Sequence, residues 1–343
     1  MRRATVLVLL LQLLAWSMGT AQANAQTPYR LPPVHTTTEP DQIFAAPPDP
    51  VWPTPYASSL SESGEPVIIL DEADTGPTPP PGARNGVFQK LLFSWTWGPA
   101  MSEGDFGFTD LNLSTVWGFP FPTVESPLLV TPSFGVSYLD GPEARDLPAR
   151  LYSTGVDFRW LRPINERLMM DLGVGVGYYS DFEVDSGDAL RITGRGLGIY
   201  EWSPETTVVL GVVYLDRNDV PILPAAGLIW KPTDDLKLEL VFPQPKLARR
   251  IYNCGTDRGL EYWAYVAAEF GGGQWSIAGA GGEPELLTLR DYRLLLGVES
   301  KLPGGLGTRL ELGYIFGREI EFDSATPDYK PDDTLLVRVG ASY

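Results

Sequence analysis

Residue types that could carry out chemistry are scarce in this chain. The single histidine, His35, falls in a proline-rich stretch near the N-terminus, so the rest of the sequence offers no imidazole for a Ser-His-Asp triad or a zinc site. Cys254 is the only cysteine, so it has no partner for an internal disulfide and reads as a loop thiol. Glu299 and Glu311 could face one another as a carboxylate pair, but acids with arginines nearby in the pattern read as ion-pair partners. Gly271-Gly272-Gly273 precedes a strand-like stretch and no Lys-Ser pair follows, so it reads as a turn and not as a phosphate cradle. Asp181, Glu183, Asp185 and Asp188 could hold calcium through their oxygens, although a solvated acidic loop is the plainer reading. A formal net charge of -17 makes nucleic acid an unlikely partner. No catalytic residue, metal site or cofactor is expected.

The polar residues that stand out are Asp157, Arg159, Arg195, Arg293, Glu299, Arg309, Glu311 and Arg338. Several fall in segments where apolar side chains recur at every second position. In Leu151 to Leu161, Tyr152, Val156, Phe158 and Trp160 oppose Ser153, Asp157 and Arg159. Leu168 to Tyr179 sets Met170, Leu172, Val174 and Val176 against Asp171, Gly173, Gly175 and Gly177. Asp291 to Lys301, Thr308 to Phe316 and Thr334 to Tyr343 repeat the pattern. A period of two means strands with one apolar and one polar face. The eight residues would line an enclosed polar interior, mostly as a salt-bridged wall, since enclosed charges need partners; a charged constriction selecting small solutes is the sharper alternative.

The rest of the chain divides by composition. Arg2 and Arg3, the apolar run Val6 to Trp16 and the small residues Ala21 to Ala25 form a secretory signal, which gives a leader over 1–25 cleaved after Ala23 or Ala25. Residues 26–85 hold 14 of the 32 prolines and predict a disordered segment, with Val67 to Leu70 its one apolar patch. From Gly86 to Tyr343 the alternating segments predict an all-β, antiparallel up-and-down transmembrane barrel. Segments of about ten residues suit tilted bilayer crossings, and aromatics gather at segment ends, as at Trp95, Trp97, Trp117, Tyr178, Tyr200, Trp202 and Trp230. A soluble β-sandwich would also alternate. Counting from Phe88 to Tyr343 gives 14 strands, with 12 as second choice. Short turns are expected at 163–166, 203–205, 231–235, 271–273 and 303–306. Long loops are expected at 140–149, 181–188, 216–221, 242–259, 281–288 and 319–333, on the side away from both ends of the barrel. Leu247 to Tyr252 is the weak point, since a strand there would change the count.

Leu335, Val337, Val339 and Tyr343 share one face of the last segment, and in this the chain resembles bacterial outer-membrane β-barrels, whose final strand ends in an aromatic residue read by the barrel-assembly machinery. The stretches Ala225 to Pro232, Asp291-Tyr292-Arg293 and Glu311-Leu312-Gly313-Tyr314 are similar to those of an uncharacterised family of such barrels, classed as a domain of unknown function. The resemblance implies the fold, a location in the cell outer membrane, and outer-membrane lipid and the assembly machinery as partners; it implies no activity. Two functions follow as expectations: a passive pore or transport barrel, motivated by the glycine-rich polar face, or a structural or interaction barrel with a filled lumen whose proline-rich arm contacts another envelope component.

Overall fold

The computed structural model describes residues 86–102, 104–141, 147–184, 186–253, 259–279, 282–302, 305–324 and 326–343. The leader, the proline-rich segment with His35, and Cys254 lie outside the described residues. Fourteen strands follow in chain order: β1 Phe88–Gly98, β2 Gly107–Thr123, β3 Ser126–Asp140, β4 Arg150–Asn165, β5 Leu168–Ser180, β6 Leu190–Ser203, β7 Thr206–Tyr214, β8 Ile222–Thr233, β9 Leu236–Phe242, β10 Lys246–Asn253, β11 Glu261–Ala278, β12 Pro284–Lys301, β13 Gly307–Phe322 and β14 Thr334–Ser342. Each pairs antiparallel with its neighbours in sequence, and β14 pairs with β1, closing the barrel. The seam runs from Leu92 opposite Ser342 to Trp97 opposite Val337. Beyond it, Leu91 and Tyr343 exchange both backbone bonds, at 2.8 and 2.9 Å.

The strand count agrees with the sequence reading, but two boundaries do not, and they cancel. Gly271-Gly272-Gly273 is not a turn: it lies inside β11, opposite Asp291, Arg290 and Leu289 of β12. Leu247 to Tyr252 is not loop: it belongs to β10, which pairs with both β9 and β11. The expected long loop at 242–259 is therefore two connections, one at each end of the barrel. Three of the expected short turns close after two residues, as between Asn165 and Leu168, where the Asn165 side-chain oxygen accepts the N–H groups of Arg167 and Leu168.

The alternation produces an apolar outer surface. Phe93, Leu113, Phe134, Phe158, Val174, Leu210, Leu228, Leu296, Leu312 and Leu335 are all exposed, a continuous patch that water would penalise. The inner face is less uniform than the sequence suggested. On β6 to β8, Leu197, Ile199, Val209, Val213, Leu223, Ala225 and Ile229 form a buried apolar cluster, so this sector of the wall is greasy on both faces.

One part of the wall leaves the cylinder. In β11, Gly272 takes a positive φ of 93°, a conformation that L side chains avoid; a Cβ there would also strike the Leu289 carbonyl. The β12–β13 register shifts at the same level, between Arg290 and Tyr292, and Gly317 of β13 has φ +59°. Beyond Gly272, the five residues Gly273 to Ile277 are buried in succession, which a strand with one face to solvent or lipid cannot show. Ser276 pairs in parallel with Ser180 at the end of β5, six places away around the ring. The upper β11–β12 hairpin therefore folds inward across the barrel. Trp275, Ile277 and Leu287 pack there against Phe106, Phe108, Leu151, Ile315 and Leu336.

Candidate functional site: the ion-paired interior

Strand register assembles the central cluster. Arg338 on β14 stands opposite Glu311 on β13, and Arg293 on β12 opposite Glu269 on β11. Opposite residues on one face lie within side-chain reach. Arg338 donates to Glu311 at 2.9 Å, and through Nη1 and Nη2 to Glu269 at 3.2 and 2.5 Å; its Nε reaches the Thr96 hydroxyl at 3.2 Å. Glu269 lies three strands from Arg338, so this contact spans the interior. Arg293 joins the far end, holding Asp291 through two nitrogens at 2.6 and 3.0 Å and Glu269 at 3.3 Å. The Tyr265 hydroxyl donates to Glu311 at 2.6 Å. Gly297, opposite Tyr265, leaves the space that its ring occupies, since a Cβ would overlap the ring.

Two further clusters flank it. Asp171 on β5, wholly buried, accepts two bonds from Arg159 at 3.0 and 2.9 Å and lies 3.4 Å from Arg195, which also holds Asp157 at 3.0 Å. Lys246 on β10 bonds Glu299 at 3.0 Å, with Lys301 at 3.3 Å on the other oxygen, and its ammonium sits 4.0 Å from the Tyr265 ring centre. Arg309 lies 3.7 Å from Glu311.

All eight candidate residues thus stand in these three groups. Glu299 and Glu311 do not form a carboxylate pair: they lie on neighbouring strands, each held by cations. Sequence reasoning missed Glu269, Asp291, Lys246 and Asp171 as members. Asp171 carried a signal, its place on the polar side of an alternating strand. Glu269 did not, because it precedes the glycine triplet read as a turn.

The end of the barrel with the longer connections is closed by polar clasps around the folded hairpin. Asp181 receives the N–H of Ala278 at 2.8 Å and of Glu183 at 2.9 Å, so this carboxylate serves the hairpin. Asp188 lies in a short 3₁₀ turn capped by Ser186, while Asp185 falls outside the described residues. Arg217, between β7 and β8, grips Asp219 at 2.9 and 2.7 Å and donates to the Leu289 carbonyl at 3.1 Å. Asp105, before β2, accepts the Tyr329 hydroxyl at 3.0 Å and the Asp332 N–H at 3.3 Å. Burial pushes its carboxyl up, but bonds from the Phe106 N–H, Tyr329, Asp332 and Met101 outweigh that and hold it below the usual carboxylate range. Among the described residues no group of three or more His, Cys, Asp or Glu is arranged to hold a metal ion.

The clusters are charged but ion-paired and buried: Asp171, Glu311 and Arg338 are 0–2% exposed. Eight strands already enclose little more than side chains, and wider barrels ordinarily leave a cavity or channel. Here the inward hairpin supplies the filling.

A family model described as a domain of unknown function, DUF6268, matches residues 140–327, more than half of the chain. The chain belongs to the DUF6268 family. No curated protein matches it. Among solved structures, it is similar to LpxR from Salmonella typhimurium, at 13% identity and TM-score 0.39, covering 74% of this chain and 99% of that one. A bacterial polysaccharide outer membrane secretin matches at 11% and 0.34, covering 74% and 97%. The β domain of the Bordetella autotransporter Brka matches at 11% and 0.30, with the same coverages. Its own strand pairing makes this DUF6268 chain an all-β, antiparallel up-and-down barrel of fourteen strands, with part of the β11–β12 hairpin folded inward.

Proposed function

We propose that this DUF6268 protein is an exported outer-membrane barrel that serves as a closed structural or interaction platform and does not act as a diffusion pore. The observation that carries this reading is the run of buried residues from Gly273 to Ile277, crossing to Ser180. A diffusion pore needs an unobstructed lumen, and the charges of the three clusters are paired with one another, leaving little for a passing solute to bind. The reading includes no catalysis, and the carboxylates of the three clusters are held by cations.

The exposed belt supports placement in a bilayer. From Leu190 to Tyr200 on β6, ten steps of ~3.3 Å at a tilt of ~40° span about 25 Å, the height of an outer-membrane apolar band. Trp202, Trp230 and Tyr343 near one edge, and Trp97, Tyr138 and Tyr214 near the other, are exposed where interface aromatics belong. On this reading residues 1–25 are the cleaved leader. Residues 26–85 form an arm on the periplasmic side that reaches another envelope component, and the outward residues Leu335, Val339 and Tyr343, with Val337, are read by the barrel-assembly machinery.

Planar-bilayer recording on the purified, folded protein tests the closed lumen. Silence under applied voltage is expected, and steady ohmic conductance from the wild-type chain would overturn the reading. Fractionation with the outer membrane, and faster gel migration when unboiled, test the location. Deleting 27–84 tests the arm: partners recovered unchanged by pull-down would remove its role.

A further inference from the structure

The interior is not filled to the same depth at both ends. On β3 the inward residues Gly135 and Ser137 are buried, as is Ser153 opposite Gly135 on β4. The next inward residue down, Ser133, is exposed, and Asp157 on β4 keeps 35% of its side chain exposed although it points inward to Arg195. Solvent therefore enters the barrel beneath the folded hairpin, from the end that carries Gly86 and Tyr343.

The mouth at that end has two unlike sides. Leu92, Val116, Leu129 and Met169 fall on the inward faces of β1, β2, β3 and β5, each half-buried. Around the rest of the ring stand Lys231, Lys237, Lys246 and Lys301, with Lys90 on β1. Their acids are Glu239, held by Lys237 at 2.8 Å, and Glu299, which Lys246 and Lys301 share at 3.0 and 3.3 Å. Asp235 and Glu261, also at this rim, are both held by Arg250. Each lysine has a partner, yet the cations outnumber the acids, so the mouth as a whole is positive.

The chain that leads into β1 carries the complementary residues. Glu65 to Asp74 reads Glu-Pro-Val-Ile-Ile-Leu-Asp-Glu-Ala-Asp, a four-residue apolar run flanked by four acids and no base. Twelve residue steps separate Asp74 from Gly86, a reach of about 37 Å at ~3.1 Å each. Fourteen strands spaced ~4.8 Å apart at a tilt of ~40° form a ring about 28 Å across. The run can therefore reach any part of the mouth, and so short a tether holds it there at an effective concentration on the order of millimolar.

We propose that residues 65–74 of this chain seat in the mouth of its own barrel, Val67 to Leu70 against Leu92, Val116 and Leu129, and Asp71, Glu72 and Asp74 against Lys90 and Lys301. The apolar run leaves water and the acids meet the surplus positive charge. The arm free to reach another envelope component is then 26–64. The seating depends on the barrel fold and not on the closed lumen.

Pulsed dipolar electron paramagnetic resonance on the full chain in lipid vesicles tests this. Nitroxides are placed at Ala73→Cys and at Glu166→Cys, in the exposed β4–β5 turn, with Cys254→Ser. One narrow distance peak is expected; with the first label moved to Ser58→Cys, in the free arm, the distribution is broad. The peak broadens in Ile68→Asp/Leu70→Asp, in Asp71→Lys/Glu72→Lys/Asp74→Lys and in Lys90→Gln/Lys301→Gln. The first two change residues outside the strands, so barrel folding is not at stake. Unboiled gel mobility checks the third, and if it fails to fold the other two decide. A broad distribution from the unaltered 65–74 run overturns the proposal. A narrow peak that survives reversal of the three acids also overturns it, because charge then does not seat the run. So does a peak lost only in Ile68→Asp/Leu70→Asp, the pattern of an apolar run lying on the bilayer. Bilayer silence is read separately, so either reading can fail alone.

Discussion

Replacing Arg338 by methionine separates a dry interior from a watery one by magnitude. The guanidinium makes four bonds within 3.2 Å, three of them to carboxylates, and is 1% exposed. Its removal leaves Glu311 with Tyr265 and the more distant Arg309, and Glu269 with Arg293 alone at 3.3 Å. Breaking a buried ion pair from one side costs about 3–5 kcal/mol, whereas a solvent-exposed pair contributes about 0–1 kcal/mol. Urea unfolding of the barrel in lipid vesicles, followed by tryptophan fluorescence, measures the difference. We expect a loss of at least about 3 kcal/mol, with part of it recovered in Arg338→Met/Glu311→Gln, since the second change removes a stranded charge. A loss below about 1 kcal/mol would mean that water reaches Glu269 and Glu311, and the reasoning from a packed lumen would fail.

Three further outcomes are expected. Replacing 273–287 by a short turn removes the inward hairpin, so stable conductance should appear in planar bilayers where the wild type gives none; a folded but silent variant would mean that other residues seal the lumen. Gly272→Ala forces a side chain into a positive φ and onto the Leu289 carbonyl, and Gly297→Ala displaces the Tyr265 ring; each should lower stability by about 1–3 kcal/mol in the same urea assay. The Asp105 carboxyl lies below its unfolded value of about 3.9, so its contribution is complete above that pH and is lost as pH falls through the lower folded value. Limited proteolysis of the 323–333 connection should therefore be flat down to about pH 4, and Asp105→Asn should raise cleavage across that range; equal cleavage of variant and wild type at pH 7 would remove the clasp's role.

Strand number and placement were legible because a period of two survives in most segments, most clearly in β4, β5 and β14. The two misplaced boundaries have different causes. Three successive glycines have the composition of a turn, yet in β11 they supply a bend within a continuous strand, and only pairing with β12 tells the two apart. β10 escaped because Arg249 and Arg250 interrupt its alternation. The interior was legible where charge alternated with apolar residues and illegible on β6, where Gly194, Gly196 and Gly198 alternate with Arg195, Leu197 and Ile199. Glycine carries no polarity, so alternation alone does not say which set faces inward; the structure buries Leu197 and Ile199. The inward hairpin has no local signature, because its burial comes from other strands, Phe106, Phe108 and Leu151 before it in the chain and Ile315 and Leu336 after it.

That distance has a consequence for how the molecule assembles. Trp275 and Ile277 are sheltered by Phe106, Phe108 and Leu151, which arrive from the opposite side of the ring. An unzipped sheet therefore has nowhere to hide them. Hydrocarbon burial inside and sealing of the seam at Leu91 and Tyr343 become a single cooperative event, and a partly assembled form would present tryptophan and isoleucine to any chaperone until its last strand docks.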